Sequence, residues 1–147
     1  MACRHLINPP KQALRKWFKP MDVTPLIRKG SQVIQSYANG VFKVSGERYD
    51  HALLVDVEDT APWDIGDITD IADLNIQHFS SLIERNEQID VVLLGCGNTM
   101  TFIPPILRAE LKKSGLSVDV MDTGAACRTY NVLMAEGRRV VCALLTT

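Results

Sequence analysis

The sequence predicts a single α/β domain of three layers, with a central mixed β-sheet flanked by helices and an N-terminal antiparallel β meander. Three observations lead there. The chain has 147 residues, 46% of them hydrophobic, enough to build one core of ordinary size. Short β-type runs separated by turn signals fill the region from Val33 to Val57. From Asn75 onward, apolar stripes at helical spacing alternate with short continuous apolar runs, the pattern of strands joined by crossover helices.

The first twenty residues stand apart, holding Arg4, Lys11, Arg15, Lys16 and Lys19 and no acidic residue. After Pro9 and Pro10, Leu14, Trp17 and Phe18 fall at i, i+3 and i+4 until Pro20 stops the pattern, which describes a short basic amphipathic helix. The readings are a disordered arm, an extension upstream of a start at Met21, a peripheral membrane contact, or an organelle-targeting segment that the lack of serine weakens. Residues 1–20 are thus expected to be a basic arm and 21–147 the α/β domain.

In the meander, strands are expected over Val33 to Tyr37, Val41 to Ser45 and His51 to Val57, with Asn39-Gly40 as a hairpin turn and Gly46 to Asp50 as a second turn. Tyr37, Phe42 and Tyr49 suit packing. Asp56, Glu58, Asp59, Asp64, Asp67, Asp70 and Asp73 then surround Pro62 and Trp63. Their spacing does not match a calcium loop, so this stretch reads as a solvated acidic loop that anchors Trp63 on the core.

Ile76, Phe79, Leu82 and Ile83 line a helix that Asn75 or Asp73 would cap, and Val91 to Leu94 is a buried strand. Ile103, Ile106, Leu107 and Leu111 form the next stripe, capped by Thr101 and ending at Gly115. Val118 to Met121 is the following strand. Ala125, Ala126, Thr129, Tyr130, Leu133 and Met134 line a third helix closed by Gly137, and Val140 to Leu145 is the last strand.

Composition excludes several functions. Outside the arm, eleven basic residues face seventeen acidic ones, which disfavours phosphate-backbone binding, so no nucleic acid is expected. Cys3, Cys96, Cys127 and Cys142 form no C-x-x-C pair and His5, His51 and His78 are scattered, so neither a metal site nor a cofactor is expected. No apolar run approaches the ~20 residues of a membrane helix, and a reducing, cytoplasmic setting is the simplest reading.

The chemistry-bearing residues gather in two loops, each between a strand and a helix. Gly95, Gly97, Asn98 and Thr99 follow the strand from Val91, but Met100 stands where a dinucleotide fingerprint has its third glycine. Asp122, Thr123 and Gly124 open the third helix, followed by Cys127 and Arg128. At neighbouring strand ends the two loops would face across a crevice, where their amides and Arg128 would suit a small anion. Asp122 would oppose an anion and reads better as an acceptor or turn-fixing residue. Cys127, placed in a first helical turn beside Arg128, is the candidate reactive thiol, with a lowered pKa. Tyr130 and Asn131 suit packing and hydrogen bonding to neighbouring elements.

The blocks Tyr37-Ala-Asn-Gly-Val-Phe42, His51-Ala-Leu-Leu-Val55, Trp63, Leu93-Leu-Gly-Cys-Gly97, Pro104, Met121-Asp-Thr-Gly-Ala-Ala-Cys-Arg-Thr-Tyr-Asn131 and Glu136-Gly-Arg138 resemble a known family over about Met21 to Leu145. It is the Mth-type domain family of formerly unknown function, which includes a mitochondrial respiratory complex I assembly factor and stand-alone bacterial members. The resemblance implies a three-layer α/β fold, no established enzyme activity, and binding to partner proteins. The expected function is thus a non-enzymatic protein-interaction or assembly module linked to respiratory or inner-membrane complexes, in the bacterial cytoplasm or alternatively the mitochondrial matrix. A small-anion or nucleotide-binding protein, or an enzyme, using the crevice between residues 95–99 and 122–128 is the alternative.

Overall fold

The computed structural model describes residues 30–146, so the basic arm expected over residues 1–20 lies outside the described residues. The strands are β1 Ile34–Ala38, β2 Val41–Val44, β3 Glu47–Tyr49, β4 Leu53–Asp56, β5 Thr60–Pro62, β6 Val91–Gly95, β7 Val118–Met121 and β8 Val140–Leu144. Among the described residues three α-helices accompany them: α1 Ser80–Glu84, α2 Pro105–Lys113 and α3 Thr123–Ala135. The first three strands form an antiparallel sheet, and the other five a mixed sheet in the order β5-β4-β8-β6-β7. In that sheet β6 runs parallel to both β7 and β8, while β4 is antiparallel to β5 and β8.

The meander differs from the sequence expectation in its third strand. Asn39 and Gly40 both take positive φ, 52° and 75°, as a two-residue hairpin turn requires. Ser45 and Gly46 repeat that pattern at 47° and 88°, so the chain turns two residues at a time, and the stretch expected as a turn contains β3. The Ser45 hydroxyl accepts the Val33 amide at 2.9 Å, which holds this unusual backbone in place. Leu53–Asp56, expected to close the meander, instead joins the central sheet beside β8.

Within the acidic stretch, Thr60–Pro62 forms an unexpected short edge strand, a position that tolerates proline. Trp63 is buried as expected: its indole Nε1 donates to the His78 carbonyl at 2.8 Å and its ring meets Phe79 edge-on. The helix after it opens as a 3-10 turn, Ile76–Phe79, before α1. Asn75 caps it, accepting the Gln77 amide at 2.9 Å, while His78 Nδ1 accepts the Asn75 amide. Thr101 does not cap α2; Pro104 precedes that helix and Pro105 fills its first position, where no donor is needed.

Two apolar layers pack on opposite faces of the central sheet. Trp63, Phe79, Leu107 and Leu111 meet Val92 and Leu94 on one face. Phe42 from the small sheet, with Ala126, Tyr130 and Met134 from α3, meets Leu93 and Leu144 on the other. Five strand residues in a row, Val140 to Leu144, are buried because both faces are covered. Among the described residues, no helix is long and apolar enough to cross a membrane.

Candidate functional site

The two loops singled out by the sequence do lie side by side, because β6 and β7 are parallel neighbours and both loops leave their C-terminal ends. Hydrogen bonds join them. The Cys96 amide donates to the Met121 carbonyl at 2.9 Å. The Gly97 amide donates to Thr123 Oγ1 at 2.9 Å, and the Thr123 amide returns a bond to the Gly97 carbonyl at 2.8 Å. Thr123 is only 1% exposed, so its hydroxyl acts as an internal tie between the loops. Gly97 needs its glycine, since its φ of 105° is one that L side chains rarely adopt.

Gly95 has a different reason. A Cβ built there would lie 2.8 Å from Leu144 Cδ2 and 3.3 Å from Thr123 Cα, so the missing side chain is what lets the first turn of α3 sit on β6. Asp122 fixes that turn: its Oδ1 accepts the Ala125 amide and its carbonyl accepts the Ala126 amide, both at 2.9 Å. Two amides of the helix start, those of Thr123 and Ala125, are therefore already engaged inside the protein. Gly124 leaves room for Arg128, whose guanidinium would be 3.2 Å from a Cβ at that position. Arg128, Asn98 and Thr99 are exposed.

Cys127 departs from the expected chemistry. Because α3 starts at Thr123, it is the fifth helical residue and lies past the turn whose amides are free. It is buried, and desolvation pushes its thiol up to about 11. Arg128 pulls in the expected downward direction and Asp122 opposes it, but burial is the larger effect. Cys142, also buried, is raised well above the ordinary thiol range by desolvation and by its neighbour Cys127.

Further along α3 the block serves to assemble layers. Tyr130 Oη lies 2.8 Å from the Gln32 carbonyl and 3.1 Å from that of Asp56, both acceptors for its proton. Asn131 accepts the Ile34 amide at 3.0 Å and donates to the Ile34 carbonyl at 2.8 Å. It thereby pairs with β1 as a neighbouring strand would, next to the irregularity between Ile34 and Ser36. Gly137, at φ 84°, ends the helix, with the Arg138 amide donating to the Leu133 carbonyl.

Among the described residues, two depressions lie outside this junction. One, of about 390 Å³, has Asp56, Glu58, Arg85, Arg138 and Arg139 around an apolar floor that includes Met134 and Val140, and Asp56 and Arg85 form an ion pair. The other, of about 510 Å³, runs beside α2. Sequence reasoning missed a third surface. Met100, Phe102 and Ile106 are 51, 70 and 75% exposed, although Ile106 was assigned to the buried stripe. With α2 starting at Pro105, Leu107 and Leu111 face the core and Ile106 turns a full 100° away. The signal was present in Met100-Thr-Phe-Ile-Pro-Pro-Ile106, where one short stretch holds more apolar residues than a connection ordinarily buries.

The comparisons with known proteins agree with this architecture. The family model described as "Protein of unknown function (DUF498/DUF598)" matches residues 34–145. An uncharacterized protein of Rhodobacter capsulatus is 35% identical over 116 residues, 79% of this chain and 86% of that protein. The NADH dehydrogenase [ubiquinone] 1 alpha subcomplex assembly factor 3 of Bos taurus is 34% identical over 112 residues, 76% of this chain but 59% of the factor. The chain thus spans less than two thirds of that relative's length. A Bordetella pertussis protein, whose solution structure is titled a Mth938-like domain, superposes with a TM-score of 0.68 at 30% identity, covering 86% of this chain and 92% of that one. The chain therefore belongs to the DUF498/DUF598 family, the Mth-type domain family that its Asp122 to Asn131 block resembles.

Proposed function

We propose that this domain is a non-enzymatic protein-interaction module that serves the assembly of respiratory or inner-membrane complexes. The observation that carries the reading is the exposed apolar stretch of Met100, Phe102 and Ile106. Three large apolar side chains exposed within seven residues of one another are more than the scattered single exposures usual on a protein surface. The relatives named as complex I assembly factors support the class of role. The junction supports it by contrast, since its nucleophile candidate is a buried, protonated thiol and its amides of Cys96, Gly97, Thr123 and Ala125 are engaged internally.

Crosslinking and affinity purification of the full chain from its native cell tests the proposal. A reproducible partner is expected with the native chain and is lost with Phe102→Asp combined with Ile106→Asp. Recovery of no partner, or equal recovery by the double variant, counts against it.

A further inference from the structure

We propose that the free edge of β7 and the groove beside it receive an extended acidic segment of a partner protein, which adds to the central sheet as a further strand. The inference rests on the interaction reading above but names a separate surface and a chemistry for what binds there.

In the order β5-β4-β8-β6-β7, β7 ends the sheet, and among the described residues it pairs only with β6. The Ser117 and Met121 carbonyls accept from Val92 and Cys96 of β6. Because alternate residues of a strand direct their peptide groups to opposite sides, the N–H and C=O groups of Val118 and Val120 point to the open edge. The opposite edge strand, β5, is three residues long and carries Pro62, which removes a donor. β7 has four residues and no proline, and among the described residues no second strand takes its outward donors and acceptors.

The groove lies at the start of this edge. Ile103, Leu111, Leu116 and Val118 give it an apolar floor, and Arg108 and Lys112 stand on its wall. Those two cations are notable against the background charge. Residues 30–146 hold nine lysines and arginines against sixteen aspartates and glutamates, and three of the nine, Arg108, Lys112 and Lys113, sit on α2. A strand whose α2-facing row combines apolar and acidic residues fits both features. Its main chain pairs with Val118 and Val120, and because alternate side chains leave a strand on opposite faces, the row that faces α2 carries both an apolar residue over the groove floor and the carboxylates that approach Arg108 and Lys112. A second copy of this chain fits less well, because a two-fold contact across this edge brings the basic wall against its own copy.

The test is a titration of the isotopically labelled full chain with a short acetylated peptide that carries valine and glutamate in turn at every second position with threonine between them, so that both fall on one face, beside one with lysine in place of each glutamate. The glutamate peptide is expected to shift the amides of Val118 and Val120 and slow their hydrogen exchange, and the lysine peptide to do neither. Arg108→Glu with Lys112→Glu is expected to weaken binding by roughly tenfold. Val120→Pro, which removes one outward donor without touching the ladder to β6, is expected to abolish it. Equal binding of both peptides, or shifts confined to other elements, overturns the proposal. So does protection of Val118 and Val120 that rises with protein concentration alone, because a second copy then holds the edge. A native partner captured equally by the Val120→Pro chain overturns strand addition and leaves the interaction reading standing. Recovery of no partner by the native chain overturns the interaction reading, and the peptide titration still decides the edge.

Discussion

Two neighbouring regions follow β6 and behave in opposite ways. At the junction of Gly95 to Gly97 with Asp122 to Thr123, polar groups meet across the two loops and the thiol is buried. A few residues later, Met100, Phe102 and Ile106 present large apolar side chains to solvent, and α2 carries its cations beside a groove. The first region contains the residue types that suggest chemistry, yet their hydrogen bonds hold the fold together. The second is marked by apolar side chains, yet those are exposed. A motif rich in functional groups is therefore a reason to ask where each donor and acceptor goes before assigning it a ligand.

The comparison is broken most directly at Gly95. Gly95→Val places atoms inside the contact with Leu144 and the backbone of Thr123, and overpacking of this kind costs about 3 kcal/mol. Chemical denaturation should record the loss, and an unchanged midpoint would mean that α3 does not need the close approach. Thr123→Val keeps the shape but leaves the Gly97 amide without its acceptor, a loss of about 1–2 kcal/mol by the same measurement.

Thiol titration sharpens the contrast through pH. Folding raises Cys127 from an ordinary value of 9.0 to about 11. The stability it contributes is fully present below pH 9 and is lost as pH rises through about 11, because the unfolded thiol ionises first. Cys142 and Tyr130, both raised by burial, act in the same direction. Stability should thus fall above pH 9, with a shallower fall in Cys127→Ala, and alkylation of native Cys127 at pH 8 should wait on unfolding. Rapid alkylation of the folded chain would contradict the burial. The smallest effect on stability belongs to the other region. Phe102→Asp with Ile106→Asp should alter the unfolding free energy by no more than about 0.5 kcal/mol, as exposed substitutions usually do, while partner capture is lost. A large destabilisation would show that these side chains serve the core.

Much of the fold was legible because it rests on local rules. Asn39-Gly40 announces a hairpin, Asn75 and Asp122 announce helix starts, and the apolar run from Val140 announces a strand covered on both faces. Glu47–Tyr49 was not legible, since a three-residue strand without apolar alternation is recognised only through its pairing with β2. Thr60–Pro62 was hidden among acidic residues for the same reason. At the candidate site, the sequence placed both loops at adjacent strand ends and identified Tyr130 and Asn131 as joining groups.

By itself, then, the sequence determined the α/β class, most turns and caps, and the family, because each depends on residues a few positions apart. Only the tertiary structure decided that the Gly97 amide is held by Thr123, 26 residues away, that Cys127 is raised instead of lowered, and that Ile106 faces outward. Each of those depends on which distant groups come within hydrogen-bonding or packing distance, and on how much water they leave between them.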